Sequence, residues 1–161
     1  MTPVRNLSGA VEPANIVEVR VYPEAIPAFT SAQYDSQLNP VPLFHEAEQV
    51  IVVDIGRFTC DIAMLNQLYQ IDSRATTEHG THIMLSRIRT LLQENETRLG
   101  LTETADYTLD QIDNYVRQGY VGSTLAQLAA KRVDITDLIN KAADEFAALI
   151  QTDIRAVSRI N

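Results

Sequence analysis

Asp54 and Asp61 flank a short turn in the stretch VIVVDIGRFTCDIAML (residues 50–65), and that arrangement suits phosphate chemistry. Gly56 lets a backbone come close to an anion, and successive N–H groups in such a turn can form an anion-binding nest. A carboxylate beside phosphates suits Mg2+, a hard ion that prefers oxygen ligands and keeps several waters. The same residues also fit an ordinary hairpin, because Asp-x-Gly is plain turn chemistry. Residue physics leaves both readings open.

Other reactive side chains carry weaker signals. Glu24 follows Pro23 at a helix start, where an acid is favourable for the helix dipole without any chemical role. His79-x-x-His82 has a possible metal spacing but no evident third ligand, and a solvated helix start accounts for it. His45 lies in a proline-rich loop. Cys60 alternates with its neighbours in a strand and has no histidine nearby in sequence, so it reads as core rather than nucleophile.

The elements that position these groups follow from periodicity. Residues 1–15 read as an irregular or edge-strand entry. Ile16 to Tyr22 alternates apolar and polar residues, a strand pattern. Pro23 and Glu24 open a helix near 25–34, with Pro27 tolerable in its first turn. Asn39-Pro40 and Pro42 make 35–48 a surface loop. After the hairpin, residues 67–71 are expected to add a third antiparallel strand. Thr76 or Thr77 is expected to cap a helix through about Arg98, with Ile83, Met84, Ile88, Leu91 and Leu92 on one face and Gly100 as its stop. Thr108 caps a shorter helix with Ile112, Tyr115 and Val116 inward, broken by Gly119 and Gly122. Residues 133–160 keep i, i+3, i+4 apolar spacing as the longest helix. There is no internal repeat or low-complexity tract.

Bulk properties bound the function. The 161 residues make one domain's worth of chain, able to bury a sizeable core. At 45% hydrophobic and 21% charged residues the composition is that of a folded rather than a disordered chain. A net charge of −8 argues against direct contact with a nucleic-acid backbone. A single cysteine allows no intramolecular disulfide, which points to a reducing cytoplasm. No apolar run reaches the length of a membrane span, and no signal-peptide core is visible at the N-terminus.

Asp54-x-Gly56-x-x-Thr59-x-Asp61 resembles the second phosphate loop of the actin, Hsp70 and sugar-kinase ATPase superfamily. Upstream, VRVYPEAIPA (residues 19–28) resembles the strand-Pro-Glu-helix segment of one branch, the ParM/StbA plasmid-segregation actins. These motifs occupy residues 16–65. The resemblance implies an α/β, ribonuclease H-like lobe, with a small mixed sheet, flanking helices and an inserted helical subdomain. Residues 1–72 would form the sheet subdomain and 73–161 the helical subdomain and return helix. Asp54 would hold Mg2+ through water. Gly56, Arg57, Phe58 and Thr59 would present N–H groups to the phosphates of ATP, Glu24 would position or deprotonate the attacking water, and Asp61 would support the turn. It also implies self-association into filaments, with DNA reached through a bound adaptor protein rather than directly.

The sequence departs from that pattern in two ways. The positions of Arg57 and Phe58 are commonly glycine or small in that family, so a turn needing positive backbone angles there would be strained; the alternative is an Arg57 that reaches a phosphate as a charged donor. The superfamily's first phosphate loop and glycine-rich adenosine loop are not recognisable. The chain is therefore expected to be one lobe of a longer protein, incomplete at its C-terminus, binding ATP weakly and hydrolysing it negligibly by itself. A non-polymerising kinase of the superfamily and a degenerate, non-catalytic scaffold lobe remain as alternatives.

Overall fold

A short ladder opens the chain, β1 (Pro3–Arg5) running antiparallel to β2 (Val11–Pro13). The computed structural model describes residues 3–5, 11–13, 21, 23–68 and 70–158. The strand expected over 16–22 lies outside those residues except for Val21, which is exposed. Glu24 occupies the N-cap of α1 (Ala25–Ala32) and gives it no side-chain cap bond. Pro27 is the third residue of that helix, where its missing N–H has no intrahelical acceptor to lose. The segment expected as plain loop holds a short helix, α2 (Pro42–Glu46), with Pro42 at its first position.

The β-branched run at Gln49–Ile55 forms β3, which pairs antiparallel with β4 (Cys60–Asn66); β5 (Ile71–Thr77) pairs with β4 on its other side. The third strand thus starts where it was expected to end. Gln67, Leu68 and Gln70 precede it outside the ladder, and the sheet extends past residue 72. The register sets Asp54 opposite Asp61, and Asp61 opposite Thr76. Alternation along β4 sends Cys60 and Ile62 to one face and Ala63 and Leu65 to the other, where α1 packs through Phe29.

Beyond the sheet the chain is mainly helical. α3 (Thr81–Glu94) begins after Gly80, not at Thr76 or Thr77, whose places in the β5 ladder rule them out as caps. It is followed by α4 (Glu96–Leu99), closed by Gly100. The Thr108 hydroxyl accepts the Gln111 N–H at 3.2 Å, and the Gln111 side-chain oxygen accepts the Thr108 N–H at 2.8 Å. This reciprocal cap starts α5 (Leu109–Gln118), and Gly119 at φ 78° ends it in the left-handed conformation that favours glycine. β6 (Tyr120–Val121) pairs with β7 (Val133–Asp134), so residue 133 belongs to a hairpin rather than to the last helix.

That last helix, α6 (Thr136–Ser158), is 23 residues long, about 35 Å. Its first half, through Leu138 and Ala142, shares a core with Leu85, Ile88, Leu92 and Ile112. Its second half, through Ile150 and Val157, covers the sheet at Cys60 and Ile62. Arg87 reinforces the junction with a two-point contact to Glu145 at 2.6 and 3.2 Å, which raises the guanidinium and lowers the carboxyl. One rigid helix therefore fixes the helical half against the sheet. Removing a fully buried member such as Ile88 by substitution with alanine costs about 2–5 kcal/mol. No helix among the described residues is long and apolar enough to cross a membrane.

Candidate functional site

The β3–β4 turn is held from behind by the start of α3. The Thr81 N–H donates to the Gly56 carbonyl and the His82 N–H to the Arg57 carbonyl, each at 3.0 Å. Two donors that every helix leaves without an internal partner are thereby satisfied by the turn. The His82 Nδ1 also lies 3.0 Å from the Arg57 carbonyl. Gly80 makes this approach possible: a Cβ there would sit 2.4 Å from the Arg57 carbonyl oxygen and 2.5 Å from the carbonyl carbons of Arg57 and Phe58. Sequence reasoning missed Gly80. A glycine standing where Ser, Asp or Thr usually caps a helix was the available signal of a close backbone approach.

Peptide geometry then orients the amides. In a trans peptide the C=O and the following N–H point in opposite directions, and the described residues contain no cis bond. With the carbonyls of Gly56 and Arg57 directed at α3, the N–H groups of Arg57 and Phe58 point away from it. No carbonyl among the described residues accepts from them. Each carbonyl that accepts a bond also polarises the N–H of its own peptide unit, making it a better donor. The Gly56 N–H differs, being engaged with the Thr59 carbonyl at 2.9 Å, which removes it from the expected phosphate donors.

Neither Arg57 nor Phe58 has a positive φ, so the strain that would mark a degenerate turn is absent. The Arg57 guanidinium does not turn toward the groove described next. Its Nη2 lies 2.5 Å from Asp110 Oδ1 in the first turn of α5, a contact that raises the guanidinium further. Phe58 is exposed and tilts against the His82 ring at 5.5 Å.

Glu24, Asp54 and Asp61 line one groove of about 500 Å³ on the α1 face of the sheet, together with Val52, Ala63, Arg74 and Thr76. The turn residues 56–59 lie outside its walls. Asp54 and Asp61 face each other across the ladder, and like charges so placed repel unless something positive intervenes. Asp61 accepts a hydrogen bond from the Thr76 hydroxyl, and Arg74 supplies the groove with a cation that sequence reasoning did not single out. Among the described residues no three acidic, histidine or cysteine side chains converge as a metal cage. A hard cation at Asp54 would draw its remaining ligands from water and phosphate oxygens, the usual habit of Mg2+, and the all-oxygen donor set fits it.

Cys60 is fully buried between the sheet and α6. Burial first, then the nearby charges of Asp153, Asp61 and Asp54, pushes its thiol up, which keeps it protonated and unreactive. The two histidines serve separate partners rather than a solvated helix start. His79 Nδ1 contacts Asp153 on α6 at 2.7 Å, and Thr77 donates to the same carboxylate at 3.2 Å, while His82 backs the turn.

Two crystal structures of Ta0583, an archaeal actin homolog, superpose on the chain with TM-scores of 0.63 and 0.62. Sequence identity is 15% and 16%, and the match covers 98% of this chain but only 44% and 45% of theirs. The likeness is one of fold: this is an actin-like α/β lobe, spanning less than half the length of those structures. No curated protein matches it by sequence. The Alp7A C-terminal domain matches residues 49–159, and the chain belongs to that Alp7A-like C-terminal domain family. The matched span includes the turn, Asp54 and Asp61; Glu24 and α1 precede it.

Proposed function

We propose that the chain is the second lobe of a bacterial actin-like ATPase of the ParM/StbA type, one that binds Mg-ATP, forms filaments in the cytoplasm and partitions plasmids through a DNA-bound adaptor protein. The observation that supports this most directly is the turn beyond Asp54, whose Gly56 and Arg57 carbonyls are held by α3 while the N–H groups of Arg57 and Phe58 have no backbone acceptor among the described residues. Those amides, with the Thr59 N–H or hydroxyl, would take phosphate oxygens. Asp54 would hold Mg2+ through water, a cation that also relieves its repulsion with Asp61. Asp61, fixed by Thr76, keeps the ladder in register at the turn.

Phosphoryl transfer asks a protein mainly for positioning and electrostatics. Mg2+ would neutralise charge on the phosphates. Glu24, at the start of α1 on the same groove, would orient a water and accept its proton, which makes it the catalytic base in this reading. An opposing lobe is part of the proposal, so the chain alone would bind nucleotide weakly and turn it over negligibly.

Isothermal titration of the chain with ADP and ATP, with and without Mg2+, tests the site. Mg2+-dependent binding that Asp54→Asn weakens about tenfold or more is expected, from the loss of one charge-assisted contact to the hydrated ion. Binding indifferent to Mg2+ and to Asp54→Asn would remove the assignment. Pelleting and light scattering of the protein expressed from its full reading frame test the filament reading: ATP-dependent polymer supports it, and a soluble ATP-consuming kinase contradicts it.

A further inference from the structure

The tip of the phosphate turn carries one arginine, and that arginine is bound to the helical subdomain. Arg57 Nη2 meets Asp110 Oδ1 at 2.5 Å across 53 positions of sequence. The turn's backbone is not free to move with it, because its carbonyls are pinned by Thr81 and His82 and its rear is closed by Gly80. The side chain is held only at its end, by Asp110 and by the Phe58 ring, which lies 5.8 Å from the guanidinium carbon. Its contact with Asp110 is through one nitrogen, with the Arg57 and Asp110 side chains 49% and 76% exposed, and an exposed pair of this kind is easily exchanged. Asp113, the other carboxylate acting on Arg57, is already bonded to Arg117 at 3.0 Å. Asp110 itself does not become an orphan when released. It lies in the first turn of α5, where a negative charge is favoured by the helix dipole.

We propose that Arg57 is an exchangeable latch: with the turn empty it holds α5 through Asp110, and a polyphosphate on the turn amides draws it away, releasing α5. The proposal rests on the phosphate reading of the turn and adds to it a route to the helical subdomain. A phosphate at the Arg57 and Phe58 amides brings several acceptor oxygens within reach of the same residue's guanidinium. A charge-assisted bond to phosphate is stronger than a single-point bond to an exposed carboxylate. The released carboxylate then repels the bound anion, so the two partners compete in both directions. Since α5 packs on α3 and shares its core, occupancy of the turn would be felt in the half of the molecule that lies away from the sheet.

A double-mutant cycle separates this from the alternative in which Arg57 merely neutralises Asp110. The chain and its Arg57→Gln, Asp110→Asn and doubly substituted forms are titrated with inorganic tripolyphosphate at low salt, where no nucleoside contributes. If Arg57 moves, Asp110→Asn removes both a competitor and a repelling charge, and its several-fold gain in affinity is larger with Arg57 present than on the Arg57→Gln background. If Arg57 only shields, the gain is larger on the Arg57→Gln background, and the latch is overturned. No binding by any of the four forms overturns the phosphate reading and the latch with it, so the two failures are distinguishable. Hydrogen exchange gives a second readout. Amides of 111–113, the first in α5 with acceptors, should exchange faster in the unsubstituted chain when tripolyphosphate binds, and show no such change in Asp110→Asn. Binding without any change at α5 would overturn the release.

Discussion

β4 ends in a turn at each side, and the two are held by opposite means. The β4–β5 turn holds itself. The Asn66 side-chain oxygen accepts the N–H groups of Leu68 and Gln70 at 2.9 and 3.1 Å, and its amide nitrogen donates to Asp72 at 2.9 Å. Every one of these partners lies within six residues. The β3–β4 turn has its carbonyls held by a helix more than twenty residues away and its arginine held by another helix further on. A self-sufficient turn uses its own polar groups to close. A turn supported from behind keeps its forward N–H groups for something else. The difference between a connector and a candidate binding site lies in which direction the support comes from.

The strongest way to break that contrast is to fill the space behind the β3–β4 turn. Gly80→Ala puts a methyl group inside backbone atoms at 2.4 and 2.5 Å, and neither a turn nor a helix end can yield as a flexible side chain would. A loss of about 3 kcal/mol or more in urea unfolding is expected, at or above the usual range for overpacking. Gly56→Ala is the control: its Cβ would meet the Thr59 carbonyl oxygen at 3.4 Å, ordinary contact, and its φ is not positive. Less than about 1 kcal/mol is expected there. Equal losses at both glycines would mean that the support from α3 is not what holds the turn.

Why Gly80 was hidden in the sequence while Gly56 was conspicuous follows from the same contrast. Local signals were legible. The β-branched run before Asp54 marked β3, Thr108 and Gly119 marked both ends of α5, and apolar spacing traced nearly all of α6. Asp54 and Asp61 were singled out by their places beside the turn and Glu24 by the resemblance, and the three share a groove. Signals that depend on distant partners were not legible. β5 reads IDSRATT, with Ile71 and Ala75 its only apolar residues, so its strand character comes from pairing with β4 and was shifted to the turn before it. Thr76 and Thr77 look like helix caps, but their hydroxyls belong to Asp61 and Asp153. The destination of Arg57 depends on how α5 docks beside the turn, which no local spacing encodes.

Asn66→Ala probes the self-sufficient turn. It removes three local hydrogen bonds at a partly exposed site, and about 1–2 kcal/mol of stability should go with them, since each net bond contributes about 0.5–1.5 kcal/mol and water recovers part. Tripolyphosphate affinity should not change, because nothing links this turn to the other except the length of β4. Loss of affinity in parallel with stability would show that the two ends of the strand are mechanically coupled and that the contrast is only one of sequence.

The smallest effect should run in the opposite direction. Asp54→Asn removes one of two carboxylates set directly across a ladder, and relief of such repulsion is worth roughly 0.2–1 kcal/mol. The substituted chain should therefore be slightly more stable in the absence of ligand, while losing the Mg-nucleotide affinity proposed for the site. Mg2+ should raise the melting temperature of the unsubstituted chain more than that of Asp54→Asn when ADP is present, because a ligand stabilises a fold according to how tightly it binds. A purely structural carboxylate would behave otherwise, its loss lowering stability with or without ligand. The opposed aspartates are thus a place where the chain carries a small destabilisation in its empty state, and the sign of one substitution decides whether a bound cation is what offsets it.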